Sequence, residues 1–245
     1  MEKEFRKAVV IFIDILGSQS REHFDEWYNI MSIFSRMIER EKALDDNHPW
    51  TVYKREIHVF SDCAYIIYDY KNDIEDSRKH MYELMGIACY NTEKVLYEFL
   101  KNGFVARGAI TYGDLFYDNE KNIWFGPAMN RACFLESKQA RFPRIIIDPE
   151  YAENLFEFNE NKYRSNPKQK MFNGKILCRD MDGFIYLNYL NSMKLNIHQM
   201  EYRDVLKNAI QLCDRERNII RETKELQESI KSKYDWLENY LLSPQ

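Results

Sequence analysis

AVVIFIDILG, residues 8–17, opens with six apolar residues in a row and stops them at an aspartate. The β-branched and aromatic side chains of Val9 to Ile13 suit a covered, pleated surface, so this run reads as a buried strand. Asp14 is the residue that reading leaves over. A carboxylate at the end of a buried run needs a partner, a proton or a cation, because an unpaired ionised group away from water is costly. Gly17 lets the backbone turn sharply and would leave Asp14 at the rim of a sheet, within reach of something charged. Taken alone, position 14 has a plainer explanation, since Asp commonly begins turns.

The chain of 245 residues is 45% hydrophobic and rich in aromatics, enough to bury a substantial core. No apolar run approaches the roughly 20 residues of a membrane span. The opening MEKEFRK mixes both signs of charge and does not read as a secretory or transit segment. Cys63, Cys89, Cys133, Cys178 and Cys213 are odd in number, widely spaced and without a CxxC pair. They read as small buried residues of a cytoplasmic protein, with neither a disulfide framework nor a zinc site. A net charge of −4 argues against non-specific nucleic-acid binding but leaves room for a small anion held by a local cluster.

Outward from Gly17, Ser18 or Ser20 can cap a helix whose apolar face is Phe24, Trp27, Met31, Phe34 and Ile38, ending near Lys42. LDDNHPW, 44–50, reads as a loop closed by Pro49. Strands over Lys54–Phe60 and Cys63–Tyr70, joined at Ser61 and Asp62, form a hairpin, so a second aspartate stands at a strand end. Asp73–Leu100 reads as a helix with Met81, Leu84, Ala88, Val95 and Phe99 on one side, stopped by Asn102 and Gly103. A strand over Phe104–Tyr112 carries the unusual Arg107, and Gly113–Asp114 is expected to turn the chain. A helix over Ala128–Ala140 and a strand over Arg144–Asp148 follow.

The order β, α, β, β, α, β with a β–α–β extension predicts an α+β fold of the ferredoxin-like type, a mainly antiparallel sheet with helices. Residues 1–150 form the expected core. Residues 151–245 form an extension that is largely helical, either separate or part of the same domain. Within it, 159–175 is polar and turn-rich, Phe184–Leu190 reads as a strand, and Tyr202–Tyr240 as a long charged helical region, solvated or packed on a partner. In a ferredoxin-like sheet the Asp14 strand and the Asp62 hairpin lie side by side. Two carboxylates so placed invite a hard divalent cation, Mg²⁺ or Mn²⁺.

VVIFIDILG (9–17), FSD (60–62), VARGAITYGD (105–114) and FGPAMNRACFLES (125–137) resemble the successive motifs of class III nucleotide cyclases, in the same order. The narrower resemblance is to stand-alone bacterial pyrimidine cyclases of antiphage defence (Pycsar), through FGPAMNRA, LESKQARFPRIIID and the terminal SKYDWLENYL. The resemblance implies a class III cyclase catalytic core and a reaction in which the ribose 3′-hydroxyl attacks the α-phosphate of a nucleoside triphosphate and pyrophosphate leaves. It implies two Mn²⁺ or Mg²⁺ ions held by Asp14, Asp62 and the backbone carbonyl of Ile15. Asn130 matches the ribose-orienting asparagine, and Phe12, His58, Arg107, Ile123, Asn130 and Arg131 are the expected nucleotide-binding positions. It also implies a homodimer with sites between subunits and a separate effector protein that senses the cyclic product; the apolar runs and net charge noted above add the expectation of no membrane and no nucleic-acid partner.

This chain departs from the purine enzymes. His58 and Ile123 stand where adenylyl cyclases have a base-reading lysine and aspartate, and neither the adenine pair nor the guanine pair is present. Phe134 stands where the family usually has an arginine that stabilises charge on the phosphate. Arg107, Arg131 and Lys138 are the candidate substitutes, Arg107 first. The expectation is a pyrimidine nucleotide cyclase acting on UTP in preference to CTP. Its rivals are a nucleotide-binding module without turnover and a purely structural dimerisation domain.

Overall fold

The computed structural model describes residues 4–18, 21–47, 51–166, 170 and 173–243. Ser20 and the end of the 44–50 loop lie outside them. The strands are β1 (Arg6–Ile15), β2 (Tyr53–Phe60), β3 (Cys63–Tyr70), β4 (Ala106–Asp118), β5 (Ile123–Phe125), β6 (Ile145–Ile147), β7 (Leu177–Arg179) and β8 (Ile185–Leu187). The α-helices are α1 (Phe24–Asn47), α2 (Met81–Lys101), α3 (Pro127–Lys138), α4 (Pro149–Tyr163), α5 (Tyr189–Asn196), α6 (Gln199–Asn218) and α7 (Lys224–Leu242). The sheet runs β2-β3-β1-β4-β6-β8-β7, with β5 paired to β4. Every pairing is antiparallel except β4 with β6. The first four strands thus have the ferredoxin-like order expected from the sequence, and β8 and β7 carry the same sheet beyond residue 150.

Alternation along β1 separates two cores, as a period of two requires. Val9, Ile11 and Ile13 join the main cluster with Ile30 and Phe34 of α1 and Leu84 and Phe99 of α2. Ala8, Val10 and Phe12 join a smaller one under Ala128, Met129 and Ala132 of α3. Asp14 therefore continues the row of Phe12, on the side that α3 covers.

Several expectations are corrected. Ser18 caps no helix: α1 starts at Phe24, and the Ser18 hydroxyl goes to Asp62 instead. The buried face of α1 is Ile30, Ile33, Phe34 and Met37, while Phe24 and Met31 are exposed. Two stripes at helical spacing competed in that sequence, and the one richer in aliphatic side chains is the one buried. The helix also continues through Leu44–Asn47, where a loop was expected. The second helix begins at Met81 rather than Asp73, preceded by a 3₁₀ turn at Asp76–Arg78. Its expected stop holds, with Gly103 N–H donating to Leu100 O and Phe104 N–H to Phe99 O.

Gly113 and Asp114 do not turn the chain but lie inside β4, paired with Ala8 and Lys7. A side chain at Gly113 would press on Ala128 Cβ at 3.3 Å, so this glycine makes room for α3. The charged C-terminal region is two helices, α6 and α7, whose apolar residues Val205, Leu212, Tyr234, Leu237 and Leu241 belong to the main core of the same chain.

Arg144 fastens α7 to the sheet. Its side chain is fully buried, paired with Asp180 and Asp182 and surrounded by the rings of Phe142, Phe184, Tyr186 and Trp236 at 5.2–5.7 Å. Trp236, on α7, also donates from Nε1 to Asp180 Oδ2 at 2.6 Å. Removing one member of a buried charge cluster strands the others without a counter-charge. Arg144→Ala should therefore lower the free energy of unfolding by about 3–5 kcal/mol, read as a shifted urea midpoint. A loss below about 1 kcal/mol would mean the cluster behaves as a surface pair.

Candidate functional site

Backbone pairing places the two aspartates. Asp14 lies opposite Cys63 on β3, and Ile15 N–H donates to the Asp62 carbonyl at 3.1 Å. Asp62 therefore sits in the turn beside the end of β1, joined there by the Ser18 hydroxyl after the Gly17 turn (φ +75°). On the other side of β1, Arg107 is the direct cross-strand neighbour of Asp14, with Nε 3.4 Å from Asp14 Oδ2. Such opposite-charge pairs are a unit of sheet stabilisation.

A third carboxyl group was not anticipated. Glu136, in the last turn of α3, is buried, and its Oε1 lies 2.6 Å from Arg107 Nε. That contact is close but not aligned as a hydrogen bond, and Oε1 has no hydrogen-bond partner. Burial first, then the Asp14 charge against the opposing pull of Arg107, pushes the Glu136 carboxyl up to about 7. Burial likewise raises Asp14, which accepts a hydrogen bond from Glu136. Glu136 therefore favours its protonated form toward neutral pH and donates that proton to Asp14. The Cys63 thiol is pushed up to about 11, mainly by burial and then by Asp62 and Asp14, so it is no thiolate nucleophile.

Asp14, Ile15, Asp62 and Arg107 line a single cleft of about 670 Å³. Its opposite wall comes from the α6–α7 turn and α7, including Arg221, Lys233 and Tyr234. Among the described residues, no three His, Cys, Asp or Glu side chains converge as a metal site on their own. Two carboxylates facing one cleft still offer only hard oxygen donors. This fits Mg²⁺ or Mn²⁺, which commonly takes one or two carboxylates and completes its shell with water and phosphate oxygen.

The other expected residues lie elsewhere. Phe12 is buried beneath α3 with its ring 4.7 Å from that of Tyr65. His58 stacks on Trp124 at 5.1 Å in a small hollow with Arg55 and Asn122. Ile123 is exposed beside Phe5, Phe116 and Phe125, which line a cleft of about 520 Å³. Asn130 and Phe134 are exposed on α3. Arg131 makes two hydrogen bonds to the buried Asp148, at 2.9 and 2.7 Å, which Thr111 and the N-terminus of α4 also bind. Lys138 is exposed at the end of α3. The sequence did carry a signal for Glu136: it follows Ala128, Ala132 and Leu135 at helical spacing, on the face that had to be buried.

No family model matches the sequence, and no curated protein matches it. Among solved structures, the chain is similar to a bacterial light-regulated adenylyl cyclase at 14% identity and TM-score 0.44, over 84% of this chain and 59% of that one. It therefore spans less than two thirds of that protein's length. It is also similar to the catalytic core of a rhodopsin-guanylyl cyclase with converted specificity, in complex with ATPαS, at 15% identity and TM-score 0.40, over 76% of this chain and 96% of that one. No helix among the described residues is long and apolar enough to cross a membrane.

A carboxyl group raised by folding favours its protonated form, so it contributes stability below its unfolded value that is lost as pH rises through the folded one. For Glu136 that window runs from the ordinary glutamate range to about 7. In metal-free protein, Glu136→Gln should be close to wild type in stability at the acid end. By the alkaline end it should gain on wild type by up to about 3 kcal/mol. Thermal melts at a series of pH values check this, and a stability difference constant with pH would contradict the raised Glu136 carboxyl.

Proposed function

We propose that this protein is a nucleotide cyclase of the class III type, forming a 3′,5′-cyclic monophosphate from a pyrimidine nucleoside triphosphate, UTP in preference to CTP. The observation that carries the reading is the cleft: Asp14 and Asp62 reach it from adjacent strand ends, which the order of the sequence motifs led us to expect. In this reading Asp14, Asp62 and the Ile15 carbonyl hold two Mn²⁺ or Mg²⁺ ions. Bound there, the ions would activate the 3′-hydroxyl and stabilise in-line displacement at phosphorus. The O3′–Pα bond forms, the bond from Pα to the bridging oxygen of the β-phosphate breaks, the hydroxyl proton passes to solvent, and pyrophosphate leaves. Glu136 and Arg107 hold Asp14 in place.

The pyrimidine class rests on the narrower sequence resemblance and UTP over CTP on that family's general tendency, while the base-reading positions argue against a conventional purine enzyme. A site that identifies a purine by hydrogen bonds loses its discrimination when the polar readers are replaced, and here they are the stacked His58 and the exposed Ile123. Asn130 lies on an exposed face of α3 and does not line the cleft, so the reading requires a second copy to bring it to the ribose, as in a homodimer. A role in antiphage defence, with a separate effector protein sensing the product, follows from the sequence resemblance alone.

Purified protein offered each of the four ribonucleoside triphosphates with Mn²⁺ should release pyrophosphate and a cyclic product, identified by mass, from UTP above the others. Asp14→Ala and Asp62→Ala should each lower the rate by more than the roughly 10–100-fold that even an outer-shell change costs at a metal site. Nucleotide binding without cyclic product would select the non-catalytic binding module instead.

A further inference from the structure

The cleft contains a cation outside the four ordered cyclase motifs, within the terminal SKYDWLENYL stretch. Lys233, on α7, lines it together with Asp14, Asp62 and Arg107. The other cations nearby are committed: Arg107 to Glu136 and Asp14, Arg221 to Glu216, Arg131 to Asp148. Lys233 is only partly exposed, and among the described residues no carboxylate stands within ion-pair distance of its ammonium group. A half-buried ammonium without a direct counter-ion loses hydration with no contact to replace it. Burial, followed by the Arg107 charge, accordingly lowers the Lys233 ammonium from its usual range, against the opposite pull of Asp14 and Glu136.

The helix that carries Lys233 is held firmly. Trp236, one turn further along, is stacked in the Arg144 cluster. Tyr240, another turn on, donates to Asn188 Oδ1 at 2.8 Å and accepts from Leu190 N–H at 3.0 Å. A ligand-binding group on a rigid element with such support is pre-positioned rather than recruited. Lysine also suits phosphate, which it binds as a compact point charge with three donors. Phe134, where the resemblance leads one to expect an arginine, is exposed and outside this cleft.

We propose that Lys233 is a phosphate-binding residue, supplied by the C-terminal helical hairpin of the same chain, that holds the phosphate chain of the nucleotide in the Asp14–Asp62 cleft. This deepens the cyclase reading and rests on it for the identity of the ligand. It places residues after 218 inside the reaction site, beyond the segment that carries the cyclase motifs.

The probe is pyrophosphate with Mn²⁺, titrated calorimetrically into wild type, Lys233→Met, Lys233→Arg and the exposed control Lys231→Met, each matched to wild type by near-ultraviolet circular dichroism. Lys233→Met should weaken pyrophosphate binding by about 10–100-fold, the worth of one charge-assisted hydrogen bond. Lys233→Arg should recover part of the loss, and Lys231→Met should bind as wild type. Unchanged binding in Lys233→Met overturns the proposal. Acetylation footprinting of wild-type protein gives an answer that does not depend on how the variants fold: pyrophosphate should shield Lys233 and leave Lys231 labelled, and equal labelling of Lys233 with and without it also overturns the proposal. The two readings fail separately. Lys233-dependent pyrophosphate binding without cyclic product from any triphosphate removes the cyclase and keeps the phosphate site, whereas cyclisation with wild-type kinetics in Lys233→Met removes Lys233 alone.

Discussion

A carboxylate that ends a buried strand has to be neutralised by something, and much of this structure is arranged around how Asp14 is. The antiparallel register of β1 and β4 delivers Arg107 directly across from it. One arginine then faces more acid than it can balance, because α3 brings Glu136 to the same guanidinium and Asp62 stands in the neighbouring turn. The excess is met in two ways. Glu136 keeps its proton up to about neutrality, and the Ser18 hydroxyl donates to Asp62. Both are weak forms of compensation compared with what a divalent cation would supply. Carboxyl groups held close together at the rim of a sheet cost stability, and groups perturbed in this way cluster at functional sites.

Arg144 solves the same problem in the interior. Fully buried, it is balanced by Asp180 and Asp182 and ringed by aromatics from three parts of the chain. Because Trp236 is one of those rings, the cluster determines where α7 lies against the sheet, and hence which residues of α7 face the Asp14 cleft. The C-terminal hairpin is therefore a wall of the site, set there by a buried ion cluster well separated in sequence from both aspartates. The continuous hydrophobic cluster from β1 through α2 to α7 says the same in apolar terms.

What the sequence made legible follows the strength of each local signal. The unbroken run at 9–13 and the hairpin around Ser61 and Asp62 admit few alternatives, and both are found with little shift in bounds. The α1 face was misjudged because two apolar stripes share one helical period, and only packing against β1 chooses between them. Gly113 was read as a turn because glycine marks both turns and close approaches, and the helix it accommodates, α3, lies outside any local window. Helix α4 and strand β7 gave little local signal. The pairing of Asp14 with Arg107 was likewise hidden, since it depends on strand register, although Arg107 itself stood out as a charge inside a strand. Lys233 lies in the SKYDWLENYL stretch, but nothing there marks it for a role: in a helix of mixed charge one lysine looks like the next until tertiary structure turns it toward the cleft.

The distribution of the expected nucleotide-binding residues carries a further consequence. Asp14, Ile15, Asp62 and Arg107 share one cleft, while Asn130 and Ile123 are exposed and His58 is stacked on Trp124 in a separate hollow. None of the latter lines that cleft, and α3 is anchored on its inner side by Ala128, Met129 and Ala132. In the cyclase reading proposed above, the site is completed when the exposed face of α3 is presented to the cleft of another copy. In that reading metal and phosphate contacts come from one chain, and ribose and base contacts from its partner. Under that arrangement the cation missing at Phe134 is missing from the partner's half, while Lys233 lies in the half that holds the phosphates. In that reading Lys233 serves from a fixed position, because the Arg144 cluster holds α7 against the sheet.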